Sequence, residues 1–170
     1  MLCLVIASCT KEKTDYPEQT GPEVPQNYEF KEVSAINSDG YKISIEALNG
    51  TLYKGYNEVR LKFIDTQSQK QADVTGVTFL PIMISTSEDT TSCPHLYDPV
   101  YKQEESSFIG YSVFTGESGA GETWELYISF TIGGRTYRVK QKISVEPQSN
   151  KNLNMTTFTA KDDQQYFIAL

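Results

Sequence analysis

Three side chains with soft donor atoms, Met83, Cys93 and His95, come closest to a chemistry in this sequence. Met83 lies near the end of an apolar run, and Cys93-Pro94-His95 sits in the stretch 85–107, the longest without regular patterning in the domain. Thioether, thiolate and imidazole together make a ligand set that favours Cu(I) over hard cations. His95 is the only histidine. Of the three cysteines, Cys93 alone lies away from the N-terminus, so it has no internal disulfide partner. The competing reading is a solvent-accessible loop whose Cys and His are incidental, since one Cys-x-His lacks the repeated spacing of a structural metal site.

Catalytic devices find little support. Any Ser-His-Asp or Cys-His arrangement must pass through His95, and there is no Gly-x-Ser-x-Gly elbow. Cys93 and His95, two residues apart on one strand, would share a face, but nothing specifies an oxyanion hole. Glu104-Glu105 and Asp162-Asp163 read as solvated turns, because an acid/base pair needs two carboxylates in different environments. The glycine-rich stretch 116–121 precedes a strand, whereas a phosphate cradle needs a helix N-terminus. These residues therefore imply a protein without enzymatic activity. A net charge of -7 and a pI near 4.8 leave no basic field for a polyanion, so nucleic acid is not an expected partner.

The elements that must position these residues are strands. In 124–132 the even positions Trp124, Leu126, Ile128, Phe130 and Ile132 are apolar, and in 137–145 the odd positions Tyr137, Val139, Ile143 and Val145 repeat the pattern. Period two is the mark of a half-buried strand. Gly133-Gly134 between them suits the φ > 0 geometry of a type I′ turn. Closing the hairpin there sets Phe130 opposite Tyr137, Ile128 opposite Val139 and Trp124 opposite Ile143. The outer face then pairs Glu125 with Lys142.

Upstream, Tyr41, Ile43, Ile45 and Ala47 alternate with Lys42, Ser44 and Glu46, and Val59, Leu61 and Phe63 alternate with Glu58, Arg60 and Lys62. Val74 to Ile84 is apolar at both parities and predicts a longer, more fully buried strand. Phe108 to Phe114 supplies another, and strands begin at Phe30. About seven strands with no helical periodicity predict an all-β fold, an antiparallel immunoglobulin-like β-sandwich over 29–146. No run reaches the roughly 18 apolar residues of a membrane-spanning helix.

Residues 147–170 read as a linker followed by an echo. Asp163-Gln164-Gln165-Tyr166-Phe167-Ile168-Ala169-Leu170 matches Asp39 to Leu48 in placing an acidic turn before an apolar run that ends in Ala-Leu. Coincidence between two strands would look the same; a true repeat implies the start of a second, truncated domain.

At the other end, Ile6-Ala7-Ser8-Cys9 resembles a bacterial lipobox. The resemblance implies a signal peptide over 1–8, cleavage before Cys9, and lipidation of Cys9 as a membrane anchor. Residues 9–28, with Pro17, Pro22 and Pro25 among polar side chains, read as a flexible tether. The implied location is the outer membrane or cell surface, extracytoplasmic and lipid-anchored.

The run Phe79-Leu80-Pro81-Ile82-Met83, then Ser92-Cys93-Pro94-His95, Gly110 to Phe114 and Trp124-Glu125-Leu126, resembles the YtkA-like domains of bacterial envelope proteins. That resemblance implies an Ig-like sandwich, an extracytoplasmic role and copper handling or cytochrome-oxidase assembly. The sequence departs from the family where 84–91 carries Ser, Thr and acids in place of further Met and His. Two functions follow as expectations. One is an envelope protein that binds or handles copper through Met83, Cys93 and His95. The other is a structural or adhesive module whose loops or sheet edge bind a protein or glycan partner, which calls for an exposed aromatic patch or an unpaired edge.

Overall fold

The computed structural model describes residues 29–149, 156–162 and 164–168. The expected leader 1–8, the expected lipidation position Cys9 and the expected tether 9–28 lie outside the described residues, as do Asp163, Ala169 and Leu170 of the C-terminal echo.

In chain order the strands are β1 (Phe30–Ser38), β2 (Tyr41–Leu48), β3 (Leu52–Tyr53), β4 (Gly55–Asp65), β5 (Thr75–Ser85), β6 (Thr90–Ser92), β7 (Val100–Lys102), β8 (Ser107–Phe114), β9 (Glu122–Ile132), β10 (Arg135–Ile143), β11 (Val145–Glu146), β12 (Thr156–Thr159) and β13 (Gln165–Ile168). One sheet runs β1-β2-β4-β8-β7 and the other β10-β9-β5-β6, with every neighbouring pair antiparallel. The two sheets pack face to face as an antiparallel β-sandwich. The predicted seven strands are the long ones: β1, β2, β4, β5, β8, β9 and β10. Four shorter ones, β3, β6, β7 and β11, escaped the sequence because two or three residues cannot display an alternation.

The organising hairpin forms as its sequence dictates. Gly133 and Gly134 have φ of 56° and 80°, the left-handed values a primed turn requires. Phe130 faces Tyr137, Ile128 faces Val139, and Trp124 faces Ile143. Lys142 stands opposite Glu125, but the ion pair goes to the diagonal neighbour: Lys140 Nζ lies 3.2 Å from Glu125 Oε2.

β1 shows how register can change faces. Phe30 and Glu32 pair with Leu48 and Glu46, whose even parity points outward; a bulge at Val33 shifts the register so that Ile36 meets core-facing Ile43. One extra residue turns a strand of mixed pattern into one that serves both faces.

The core lies between the sheets. Phe63 of β4 sits 4.8 Å, ring to ring, from Phe130 of β9, and Phe114 of β8 meets Trp124 of β9 edge-on at 4.9 Å. These four rings, with Ile43, Ile45, Leu61, Phe79, Leu126 and Ile128, are at most 1 % exposed. Each such side chain stabilises the fold by about 1.5–3 kcal/mol through removal from water. Trp124 also donates from Nε1 to the Gly116 carbonyl at 3.0 Å, which satisfies its one polar group. At the edge where β1 and β10 approach, Arg135 is paired with Asp39 at 2.9 Å and the Tyr41 and Tyr137 rings meet at 5.7 Å.

The described part of the C-terminal echo is the strand β13, which pairs antiparallel with β12 just before it, and the Phe158 and Tyr166 rings stack across the pair at 5.4 Å.

Candidate functional site

The stretch 85–107, expected as an irregular loop, is instead a crossing between the sheets. Its first part, β6, pairs with β5, and its later part, β7, pairs with β8. Between them, residues 94–97 bond to both sheets. Val113 N–H donates to the Pro94 carbonyl, Leu96 N–H donates to Tyr111, and Phe79 N–H donates to the Tyr97 carbonyl. The backbone polar groups of an apparent loop are thus satisfied inside the fold, as burial requires.

This crossing decides what Cys93 is. Ser92 is the last residue of β6, opposite Ile82, which sets Cys93 level with Pro81 and aims its side chain inward. The residue is 5 % exposed, and its Sγ is 3.2 Å from Ser112 Oγ on β8. Burial pushes the thiol pKa up to about 11, only partly opposed by the Ser112 hydrogen bond. Cys93, read from sequence as a candidate Cu(I) ligand or else as an incidental thiol in an accessible loop, is a core residue held protonated, the opposite of the depressed pKa that makes a cysteine a ready nucleophile or ligand.

His95 and Met83 stand at different levels of β5. The His95 Nδ1 is 2.6 Å from the Cys93 carbonyl, so that nitrogen carries the proton, and the half-buried ring packs between Phe79 and Tyr97 at 6.4 and 6.3 Å. Met83 pairs with Trp124, and its Sδ lies against Gly116 in the loop before β9. Phe79 and Met83 are four residues apart, about 14 Å along a strand. The crossing segment turns Cys93 into the core and leaves the His95 ring half-buried, with Met83 one inward-facing step along β5 from the level of Cys93 and two from the level of Phe79, against which His95 packs. Among the described residues, no three His, Cys, Asp or Glu side chains are grouped so as to hold a metal ion.

A different surface emerges beside His95. β5 buries only alternate residues, Val77, Phe79 and Pro81; Leu80, Ile82 and Ile84 are half-buried on the outer face of the four-stranded sheet. The expectation of a more fully buried strand fails because no layer covers that side among the described residues. Across the sheet, Leu80 adjoins Tyr127 of β9, which adjoins Lys140 of β10; one step away Thr78, Ser129 and Arg138 line up likewise. Tyr97, 50 % exposed, and Tyr127, 38 % exposed, flank a shallow cleft of about 190 Å³ floored by Leu80 and walled by Arg138.

The electrostatics of this face are uneven. Tyr127 donates its hydroxyl to Glu125 at 2.9 Å, and this bond raises the phenol's pKa; the same carboxylate raises that of Lys140. Arg138 and Lys142 form no ion pair among the described residues. On the opposite outer face, by contrast, the charges of β2 and β4 are neutralised in place: Lys42 with Glu32, Lys62 with Glu46, and Arg60 with both Glu58 and Glu105. That face has its own aromatic pair, Tyr56 stacked on Tyr111 at 5.8 Å, but no surplus charge from those two strands.

Sequence reasoning missed Leu80, Ile82, Tyr97, Tyr127 and Arg138 as surface partners of one another. The signal was present in Val74 to Ile84, whose apolar residues at both parities demand a second covered face. No protein-family model, curated protein or solved structure matches this chain.

Proposed function

We propose that the chain is a non-enzymatic, lipid-anchored extracytoplasmic binding module that engages its partner through the outer face of the β10-β9-β5-β6 sheet. The observation that carries this reading is the aliphatic row Leu80, Ile82 and Ile84, left half-buried beside the exposed rings of Tyr97 and Tyr127. Contiguous apolar surface rimmed by polar side chains is what a docking surface presents before its partner arrives, and tyrosine is enriched at such surfaces because it carries large contact area at low entropic cost. The lipobox-like Ile6-Ala7-Ser8-Cys9 supports the anchor, and the prolines of 9–28 support a tether that holds the sandwich away from the membrane. Copper is not part of the proposal, because the protonated thiol of Cys93 faces the core and Met83 lies about 14 Å along β5 from the level of His95.

A photo-crosslinking amino acid placed at Tyr127 tests the reading in cells that make the protein, with the same group at Tyr56 on the opposite face as comparison. The expected result is a discrete adduct from Tyr127 and none from Tyr56. A sharp band identifies a protein partner and a polydisperse smear a glycan. Equal adducts from both positions, or none from Tyr127, overturn it.

A further inference from the structure

Resting on that reading, we infer that the partner is a protein segment bearing one apolar and one acidic row, the surface of an amphipathic acidic helix. The chain carries a net charge of -7, yet β10 sets Arg138, Lys140 and Lys142 in line on the outer face of its sheet. Among the described residues, only Lys140 of the three forms an ion pair, with Glu125. Two cations without ion pairs, on a protein that is otherwise acidic, call for anionic groups from outside.

The spacing narrows the occupant. β5 and β10 are separated by β9 alone, so the aliphatic row and the cationic row run parallel about 10 Å apart. Each row spans four residue steps, Leu80 to Ile84 and Arg138 to Lys142, or about 14 Å. Arg138 stands level with Thr78 and Lys142 with Ile82, so the two rows are staggered by one outward-facing step and together extend about 20 Å. A helix about 10 Å across, rising 1.5 Å per residue, covers both with roughly fourteen residues. Its apolar stripe then lies on Leu80, Ile82 and Tyr127, and carboxylates on one flank reach Arg138 and Lys142. A polysaccharide would satisfy the cations but leave the aliphatic row without a matching surface.

Lysines on an edge strand also guard against edge-to-edge pairing. A guard works with either sign of charge, whereas an acidic partner does not, and this separates the two roles.

The test uses the full chain and a synthetic helical peptide of about eighteen residues, long enough to hold a helix. Leucines form its apolar stripe and glutamates flank it; a second peptide has lysines in place of the glutamates. Fluorescence anisotropy reads the affinities, with circular dichroism to confirm that every variant folds. The glutamate peptide is expected to bind about tenfold tighter than the lysine peptide. Arg138→Glu with Lys142→Glu should reverse that order, and added salt should weaken it. Equal affinities, or indifference to the double reversal, overturn the inference. So does competition by a polyuronate or by anionic vesicles that the peptides cannot match. Ile82→Ser with Tyr127→Ser reads the underlying proposal separately: if it abolishes binding while the charge reversal is silent, the docking face stands and only the acidic partner falls. If it leaves peptide affinity unchanged, both fall.

Discussion

The Sγ of Cys93 and the Oγ of Ser112 lie 3.2 Å apart in the core, joining the segment after β6 to β8. This contact makes the thiol a small buried group with a polar partner, a common fate for a free cysteine.

Its first consequence is kinetic. In a Cys3→Ser, Cys9→Ser background, Cys93 is the remaining thiol, and a disulfide reagent should reach it only as the sandwich opens. Labelling should therefore be slow in buffer and immediate in denaturant. Native labelling at the rate of an unstructured thiol would contradict its placement.

The second consequence is a pH window. The folded thiol titrates at about 11, above its ordinary value near 9, so between these limits the unfolded chain loses its proton first. The contribution of the neutral thiol is complete below pH 9 and declines as pH rises toward 11, by an amount on the order of 2 kcal/mol. Denaturant unfolding of the parent and of Cys93→Ala at pH 8 and pH 10.5 should show the parent's advantage shrinking. A constant difference would contradict the assignment.

Trp124 anchors the junction of the sheets, buried against Phe114 with its Nε1 on the Gly116 carbonyl. Trp124→Ala should cost about 3–5 kcal/mol. Trp124→Phe, which keeps a ring and loses the hydrogen bond, should cost less. Equal losses would mean that the ring does not pack as described.

At the β9/β10 turn both glycines have positive φ and nothing crowds the position of an added Cβ. Substitution there is governed by backbone conformation alone. Gly133→Asn should be nearly neutral, since asparagine tolerates the left-handed region, whereas Gly134→Val should destabilise by about 1–2 kcal/mol. Thermal melts of the two variants provide the measurement.

The parts of the fold legible in the sequence were those where two local rules agreed. Alternation and a Gly-Gly turn gave the β9/β10 register residue by residue, down to Trp124 opposite Ile143. β1 gave little more than its start, because the bulge at Val33 breaks the alternation on which recognition depends. The surroundings of Cys93 and His95 were misread for a related reason. Ser, Thr, Asp and Pro between Ser85 and Asp98 read as loop residues, while their backbones are held by hydrogen bonds to strands distant in sequence. Side-chain pattern carries no information about such bonds. Thus Cys93 passes from a loop residue to a core residue, and Tyr97, unremarked in sequence, comes to stand beside Tyr127 on the cleft.

The crossing segment also gives the molecule a mechanical character. Residues 94–97 are hydrogen-bonded to β5 on one side and to β8 on the other, and Tyr97, at the end of that seam, lies on the proposed docking face. A pull delivered through a bound partner would reach both sheets together, loading several hydrogen bonds in shear before any one of them could be peeled open. Rupture at that corner therefore demands that the sandwich give way as a unit, a useful property for the tethered, partner-bound module proposed above.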